Sequence, residues 1–292
     1  MALQVGMIGV GALGLAMAEG LIAAGVRVTG YRRGPMDDLV AAGGVAVGSI
    51  AEAITGKDAV VTCLPDEAAL DDVLSRPGGI LEHAGPGLVL IETSTTSVEE
   101  KRRQAGRLAE QRGVLLDCPV SGTPPMMRAG RASIFGSGDR ESYESVLPIL
   151  KAMAGRVAYV GDVGAGTVLK HIATMLAGIE CVAAAEAMAY AERAGVDRAA
   201  VLEGITGSPV SSVIIEMRGK MMVDREHGRN KGMGAMAGFQ KGMVLVGEAA
   251  RALDAKSPLL TAATETYAAA IAAGFGGDDQ SAVVEYLAGN KP

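Results

Sequence analysis

The sequence predicts an α/β N-terminal domain with a doubly wound, mostly parallel sheet, followed by an all-helical C-terminal domain that a long helix joins to it. In the first half of the chain, short apolar runs alternate with helical patterns, which is typical of a parallel sheet covered by helices. From Gly166 onward, helical patterns follow one another almost without strands. The length of 292 residues also favours two domains, because one core rarely grows beyond about 250–300 residues.

Charge and composition narrow the classes of partner. The net charge of −6 and the pI of about 5.2 argue against nucleic acid, which requires a basic surface. Aromatic residues make up 3% of the chain and Trp is absent from it, so the core must be aliphatic and rich in Met. We therefore expect a small-molecule substrate.

Cysteine usage indicates the compartment. Cys63, Cys118 and Cys181 are too few and too widely spaced for a disulfide framework or a zinc site, so we expect no metal and a cytoplasmic location. No signal-peptide pattern precedes the first strand. The most apolar long stretch, residues 172–190, contains two glutamates, which favours a buried helix over a membrane span.

The first strand and helix, at residues 3–8 and 15–24, enclose a glycine-rich turn. The turn consists of Gly9, Val10, Gly11, Ala12, Leu13 and Gly14. In this setting the first glycine permits a tight turn, the second lets the backbone approach a pyrophosphate, and the third lets helix and strand pack closely. The helix N-terminus then favours the phosphates. We interpret residues 1–163 as a dinucleotide-binding Rossmann domain; the alternative is a structural glycine turn.

The second strand, residues 26–31, ends in Tyr31, Arg32 and Arg33. NAD-selective domains often place an acidic residue there for the ribose 2′-hydroxyl. A guanidinium can instead hold a 2′-phosphate by two hydrogen bonds and stack on adenine. The sequence thus favours NADP(H), with NAD(H) as the other cofactor, unless the arginines are only a solvated strand end.

The alternation continues with strands at residues 58–64, 88–91 and 114–117 and helices at residues 66–74 and 98–111. Ligands of such sheets lie beyond the carboxyl ends of the strands. Two loops are at those ends, and we predict that both contact the cofactor: Leu64, Pro65 and Asp66 form one, and Ser94 and Thr95 belong to the other. Asp66 is equally suited to capping the next helix.

A hydroxyl-rich turn follows the strand that ends at Asp117. Ser121, Gly122 and Thr123 offer backbone N–H groups and two hydroxyls, which can hold a carboxylate without adding charge. The alternative is an ordinary Pro-Gly turn. We predict that the domain then ends with strands at residues 132–136 and 157–160 around a helix at residues 143–153.

Residues 164–292 form the predicted helical domain, which begins with a long helix at residues 167–194. Lys170 lies in its first turns, where the positive end of the helix dipole, together with burial, would lower the pKa of a lysine. Such a lysine can exchange a proton with an alcohol while hydride moves to or from nicotinamide. The alternative is a surface lysine on an amphipathic helix.

With these motifs, the chain resembles the β-hydroxyacid dehydrogenase family, which includes 3-hydroxyisobutyrate dehydrogenases and tartronate semialdehyde (2-hydroxy-3-oxopropionate) reductases. The resemblance covers nearly the whole chain. It implies an NAD(P)-dependent oxidoreductase that interconverts a 3-hydroxy acid and its aldehyde or keto acid, as a homodimer or homotetramer. It also implies that Lys170 is the general acid/base, that Ser121 and Gly122 bind the substrate carboxylate, and that Lys241 lines the cleft near cofactor and substrate.

Several positions depart from the family pattern. Ala173 and Thr174 stand where the family usually has one or two Asn, and Thr174 shares a helix face with Lys170. Gly242 replaces the Asp that commonly follows the second lysine. These differences leave the substrate open and point away from simple 3-hydroxyisobutyrate, toward a bulkier or less polar carbonyl.

Three other functions remain open from the sequence. An imine reductase-like enzyme would share the architecture, but that group typically replaces the lysine found here as Lys170. A decarboxylating 6-phosphogluconate dehydrogenase is disfavoured because the chain is short and His171 directly follows Lys170. A catalytically inactive NADP-binding interaction or sensor module is the third, and the intact lysine again argues against it.

Overall fold

The computed structural model describes residues 2–228 and 234–292, and the chain divides into two compact units, Met1–Lys170 and His171–Pro292. The predicted domain boundary, between residues 163 and 164, lies seven residues before this division. Each unit has its own hydrophobic core.

The first unit alternates strands and helices as predicted. Its strands are β1 (Gln4–Ile8), β2 (Arg27–Tyr31), β3 (Val45–Ala46), β4 (Ala59–Thr62), β5 (Val89–Glu92), β6 (Val114–Asp117), β7 (Val120–Ser121), β8 (Ser133–Gly136) and β9 (Arg156–Tyr159). Its helices are α1 (Ala12–Ala23), α2 (Asp37–Ala41), α3 (Ile50–Ile54), α4 (Glu67–Ser75), α5 (Ile80–His83), α6 (Val98–Glu110), α7 (Pro124–Arg128), α8 (Arg140–Ser145) and α9 (Leu147–Met153).

Strands β1 to β6 form one parallel sheet in the order β3-β2-β1-β4-β5-β6. The chain starts in the middle of this sheet and winds first to one edge and then to the other, which confirms the predicted doubly wound Rossmann fold. The order reverses between β1 and β4, and ligands of open α/β sheets bind at such a switch point. The glycine turn after β1 and Leu64 after β4 lie there.

Strands β7, β8 and β9 form a second, small sheet. In it β7 is antiparallel to β8, and β8 is parallel to β9. A single bridge between Asp117 and Ser137 connects the end of β6 to the residue after β8. This bridge fixes the start of the hydroxyl-rich turn.

The helix predicted at residues 143–153 was wrong, since two helices, α8 and α9, occupy this region. Pro148 has no N–H to donate and fits only the first turn of a helix, so a new helix begins at Leu147. Six short elements were not predicted: α2, β3, α3, α5, β7 and α7. They contain two to five residues each, too few to show a period in the sequence.

Both faces of the large sheet are buried. Met7 and Ile8, neighbours in β1, belong to two different core clusters, because successive residues of a strand point to opposite faces. The other members of the two clusters are mainly aliphatic residues and Met, as predicted. A parallel sheet covered on both faces exposes its carboxyl ends as the place for ligands.

Helix α10 (Ala165–Arg193) starts in the first unit and continues into the second. By length and composition it could cross a membrane, and it is the one such helix in the part of the chain that the structure describes. Cys181, Ala185 and Met188, however, lie fully buried in the core of the second unit. The helix therefore serves as a core helix there, as its glutamates suggested.

The second unit continues with helices only, over its described residues. They are α11 (Arg198–Ile205), α12 (Val213–Asp224), α13 (Met236–Ala252), α14 (Pro258–Ala270) and α15 (Val283–Ala288), with a π-helical turn at Ile271–Phe275 and a 3₁₀ turn at Gln280–Ala282. Met188, Met222, Met243 and Tyr267 are central to its core.

Candidate active site

The glycine turn has the backbone geometry that the sequence predicts. Gly9 adopts a φ of +91°, and a Cβ atom on it would lie 2.2 Å from the carbonyl oxygen of Cys63. A Cβ on Gly14 would lie 2.3 Å from the Gly9 carbonyl oxygen, whereas a Cβ on Gly11 would meet nothing within 4 Å. The first and third glycines thus permit close packing, and the second leaves its backbone facing open space.

The start of helix α1 fits the pyrophosphate of a dinucleotide. Gly11 is its N-cap, no side chain caps it, and its first turn contains no acidic residue. The N–H groups and the dipole of this end therefore remain available to an anion. A nicotinamide cofactor would be held here by the backbone of the turn.

Eight of the fourteen predicted cofactor residues of the first unit line one pocket of about 240 Å³. It is lined by Gly9, Val10, Gly11, Tyr31, Arg32, Arg33, Leu64 and Pro65, and in addition by Arg76 and Cys63. Arg76 was missed by the sequence analysis. Its Nη2 atom donates to the Tyr31 hydroxyl at 2.9 Å, and its guanidinium lies 5.6 Å from the Tyr31 ring centroid. This contact between distant segments leaves no local sequence signal.

The guanidinium of Arg32 is already engaged by protein groups. It forms a two-pronged ion pair with Asp38, and its Nη1 and Nε atoms donate to the Val10 and Pro35 carbonyl oxygens. The hydrogen bond from Arg32 also lowers the pKa of the Asp38 carboxyl. Arg33 is exposed and forms no ion pair with the residues described. A ligand phosphate at this strand end would meet one paired and one unpaired arginine.

The two loops at the ends of β4 and β5 are joined. The Ser94 hydroxyl accepts a hydrogen bond from the Leu64 N–H at 2.8 Å, while the neighbouring Thr95 is exposed. Asp66 caps helix α4 by accepting from the Ala69 N–H at 2.8 Å, so the capping interpretation of Asp66 is confirmed. A contact of Asp66 or Thr95 with the cofactor stays a prediction.

Cys63 forms part of the wall of this pocket. The three cysteines of the chain are free, and burial raises the pKa of each thiol, to about 11 for Cys181. The Cys63 carbonyl is the group that packs against Gly9.

The hydroxyl-rich turn is held by close packing and contains one unsatisfied hydroxyl. Gly122 has a φ of +153°, and a Cβ on it would lie 2.7 Å from the Cβ of Ala132, which no larger residue could accommodate without a shift. Ser121 pairs with Ser133 across the small sheet. The Thr123 Oγ1 atom is buried with no hydrogen-bond partner among the described residues. Since buried hydroxyls are normally paired, this atom is suited to a ligand.

Lys170 is half-buried, and no partner for its Nζ lies in the ranges 2–228 and 234–292. Burial lowers the pKa of its ammonium to about 8. The predicted direction is right, and burial, one of its two predicted causes, accounts for it. The Asp117 carboxylate accepts from the Thr167 N–H at 2.8 Å, and this negative charge offsets the positive end of α10. A half-buried, unpaired lysine with a pKa near 8 is typical of a proton-transferring group.

In the second unit, two of the positions that depart from the family pattern contact each other. A Cβ atom on Gly242 of α13 would lie 3.8 Å from the Cγ2 atom of Thr174 on α10. Thr174 is buried, and Lys241, next to Gly242, is exposed. The Asp279 carboxylate pairs with Arg218 and caps the 3₁₀ turn, which is a structural role.

Two protein families match the chain in succession. Residues 4–161 match the family described as the NAD binding domain of 6-phosphogluconate dehydrogenase. Residues 164–287 match the family described as NAD-binding of NADP-dependent 3-hydroxyisobutyrate dehydrogenase.

Individual relatives align with the chain over nearly their whole length. The chain is 34% identical to the L-threonate dehydrogenase of Cupriavidus necator, covering 99% of this chain and 97% of that protein. It is 30% identical to the 2-hydroxy-3-oxopropionate reductase of Escherichia coli, covering 98% of this chain and 97% of that protein. A crystal structure of a 3-hydroxyisobutyrate dehydrogenase from Salmonella typhimurium shares 31% identity and a TM-score of 0.85 over 97% of this chain and 99% of that one.

Fold, pocket and relatives define an NAD(P)-dependent oxidoreductase that acts on hydroxy acids. The chain belongs to the β-hydroxyacid dehydrogenase family.

Proposed function

We propose that Lys170 transfers the proton in the oxidation of a small hydroxy acid of the L-threonate class. The observation that carries this proposal is the half-buried Lys170 ammonium, with a pKa of about 8 and no partner among the described residues. At neutral to mildly alkaline pH both protonation states of such a lysine are populated, as a general acid/base requires.

The proton and the hydride leave the substrate by separate routes. The neutral Nζ of Lys170 accepts the hydroxyl proton, and the O–H bonding pair becomes the second bond of the new carbonyl. The hydride leaves the carbon that bears this hydroxyl, and the nicotinamide, when bound, supplies its acceptor. In the reverse direction the Lys170 ammonium returns the proton to the oxygen.

The substrate carboxylate is assigned to Ser121, Gly122 and Thr123. The unpartnered Thr123 hydroxyl supports this assignment, because a carboxylate oxygen would satisfy it. In the second unit, Thr174 and Lys241 are the further candidates; Thr174 shares the helix face of Lys170. The names of the relatives, L-threonate dehydrogenase and 2-hydroxy-3-oxopropionate reductase, support a short hydroxylated acid.

For the cofactor, we propose a preference for NADP over NAD, with NAD as the second cofactor. Arg32 and Arg33 stand at the end of β2, and the unpaired Arg33 supports the binding of a 2′-phosphate. The Asp38 carboxylate beside Arg32 opposes it, because it repels the same phosphate. The preference should therefore be moderate.

We also propose that residues 1–163 bind the cofactor and that residues 164–292 form the substrate and oligomerisation domain of a cytoplasmic homo-oligomer. Val168, Ile172 and Leu176 recur every fourth residue on α10 and remain exposed, which supports self-association along one helix face. Light scattering after size-exclusion chromatography gives the subunit number; a monomer would exclude the homo-oligomer.

The decisive experiment compares wild type, Lys170→Ala and the control Lys151→Ala, which removes a lysine from the exposed surface of α9. The substrates are L-threonate, L-serine and 3-hydroxyisobutyrate with NADP or NAD, and 2-hydroxy-3-oxopropionate with NADPH or NADH. We expect turnover with L-threonate, a loss of kcat on the order of 10²- to 10⁴-fold in Lys170→Ala, unchanged cofactor affinity and a normal control. Full activity of Lys170→Ala would refute the role of this lysine, and cofactor binding without turnover of any of these substrates, or of an imine with NADPH, would indicate a sensor module.

A further inference from the structure

The carboxyl ends of β5 and β6 enclose a buried lysine that the proposed reaction does not use. Glu92 and Asp117 are the last residues of these strands and lie opposite each other in the sheet register. Between them lies Lys101 of helix α6, and all three side chains have no exposed surface. Two carboxylates opposite each other repel, so the positive charge of Lys101 is required to keep both of them in place.

One side of this ion cluster reaches the cofactor loops. The Lys101 Nζ donates to the Ser94 carbonyl oxygen at 2.8 Å and contacts the Glu92 carboxylate. Glu92 in turn accepts from the Ser94 N–H at 2.9 Å, and the Ser94 hydroxyl holds the Leu64 N–H. The backbone of Ser94 is thus fixed from both sides.

The other side reaches the helix that carries the catalytic lysine. Lys101 Nζ lies 3.2 Å from Asp117 Oδ1. The Asp117 carboxylate accepts from the Thr167 N–H at 2.8 Å and from its Oγ1 at 2.9 Å. Thr167 lies one helical turn before Lys170, so Asp117 sets where that turn begins.

We propose that Lys101 is a positioning residue that fixes the Ser94 loop and the first turn of α10 relative to each other. Its role rests on the proposed function of Lys170. A cluster that served stability alone would be a poor solution, because well-packed apolar side chains of similar volume usually stabilise as much as a buried ion pair. What apolar residues cannot supply is the directed bond to the Ser94 carbonyl and the charge that orients Asp117.

The test separates positioning from stability with two variants. Lys101→Met keeps the length of the side chain but leaves Glu92 and Asp117 facing each other, so both stability and geometry should suffer. Glu92→Gln/Lys101→Met removes that repulsion, so the thermal midpoint should recover in part. Arg103→Met is the matched control, since it removes the two ion pairs of an exposed arginine on the same helix, with Asp71 and Glu100.

We expect kcat to fall on the order of 10- to 100-fold in both Lys101 variants, because displacements near 1 Å are costly in catalysis. NADPH affinity, measured by its fluorescence, should weaken in both, and hydrogen exchange of residues 164–170 should rise. These last two measurements do not depend on the role of Lys170. A double variant that regains wild-type kcat together with its thermal midpoint would overturn the proposal, as would unchanged kcat in folded Lys101→Met.

A third variant covers the case in which the Lys101 variants do not fold. Thr167→Val removes only the hydroxyl group that donates a hydrogen bond to Asp117. We expect a several-fold lower kcat with unchanged NADPH affinity, because the Ser94 side of the cluster stays intact. Unchanged kcat in Thr167→Val would refute the connection from the cluster to the catalytic helix.

Discussion

The carboxylate of Asp38 holds both terminal nitrogens of Arg32 at 2.9 Å, at the strand end that we propose for the 2′-phosphate of NADP. Replacement of Asp38 by Asn removes a negative charge and releases the guanidinium. We expect NADPH to bind roughly 3- to 10-fold more tightly, with little change for NADH, since charge-assisted bonds are worth more than neutral ones. Dissociation constants from NAD(P)H fluorescence measure this, and the chain contains no Trp to interfere.

Asp37→Asn is the matched control, because Asp37 lies in the same helix and does not pair with Arg32. In the opposite sense, Arg32→Ala should weaken NADPH far more than NADH. Equal losses for both cofactors would remove Arg32 from 2′-phosphate recognition and leave Arg33 as the candidate.

The pKa of Lys170 predicts the pH dependence of both reaction directions. Burial lowers this pKa to about 8, so the neutral amine that accepts a proton becomes the main form as the pH rises through 8. The kcat for oxidation should rise about tenfold per pH unit below 8 and level off above it, while the kcat for reduction should be constant below 8 and fall above it. Steady-state rates between pH 6 and 10 test this, and oxidation that is independent of pH across 8 would contradict it.

The sequence predicted the elements of this site that depend on local patterns. The glycine turn, the strand ends and Lys170 each follow from a short stretch of residues. Lys101 was missed because it stands in the strongly charged stretch Val98–Glu110, which resembles a solvated helix. The available signal was indirect: Glu92 and Asp117 end two neighbouring buried strands, and two such carboxylates require a cation. Arg76 was missed because its partner, Tyr31, is distant in sequence, and Asp38 because an irregular segment separates it from Arg32.

The lowered pKa of Glu285 predicts that the protein loses stability in acid. Burial raises the pKa of its carboxyl, but bonds to His227, Arg198 and Asn290 outweigh this and lower it to about 2, from an ordinary 4.5. A lowered pKa means that the contribution is fully present above pH 4.5 and is lost as the pH falls toward 2. The free energy of unfolding should therefore decrease by about 3 kcal/mol over this window.

Urea unfolding of wild type and Glu285→Gln between pH 7 and 3 measures this contribution. The variant should be less stable at pH 7 and should lose less stability in acid. Glu265→Gln, at an exposed position of α14, serves as the control and should follow wild type. Parallel pH curves for Glu285→Gln and wild type would show that Glu285 does not cause the loss of stability in acid.

Replacement of a glycine by alanine should have opposite effects on stability at two positions. Gly242 lies inside α13, and an added Cβ would make an ordinary 3.8 Å contact with Thr174, so Gly242→Ala should stabilise by about 0.5–1 kcal/mol. Gly9→Ala would place its Cβ 2.2 Å from a carbonyl oxygen at positive φ and should destabilise and abolish cofactor binding. Thermal unfolding and NADPH titration distinguish the two; destabilisation by Gly242→Ala would show that the contact with Thr174 is tighter than described.

Cys118 and Cys181 are buried and Cys63, at the cofactor pocket, is half-buried, and the raised pKa of all three thiols has a consequence for their chemical reactivity. Alkylation and oxidation both require the thiolate, and a raised pKa keeps the thiolate scarce at neutral pH. Native enzyme should therefore keep its activity in iodoacetamide or mild peroxide, without added reductant. Its turnover would follow the supply of reduced and oxidised nicotinamide and remain indifferent to the thiol redox state of its surroundings.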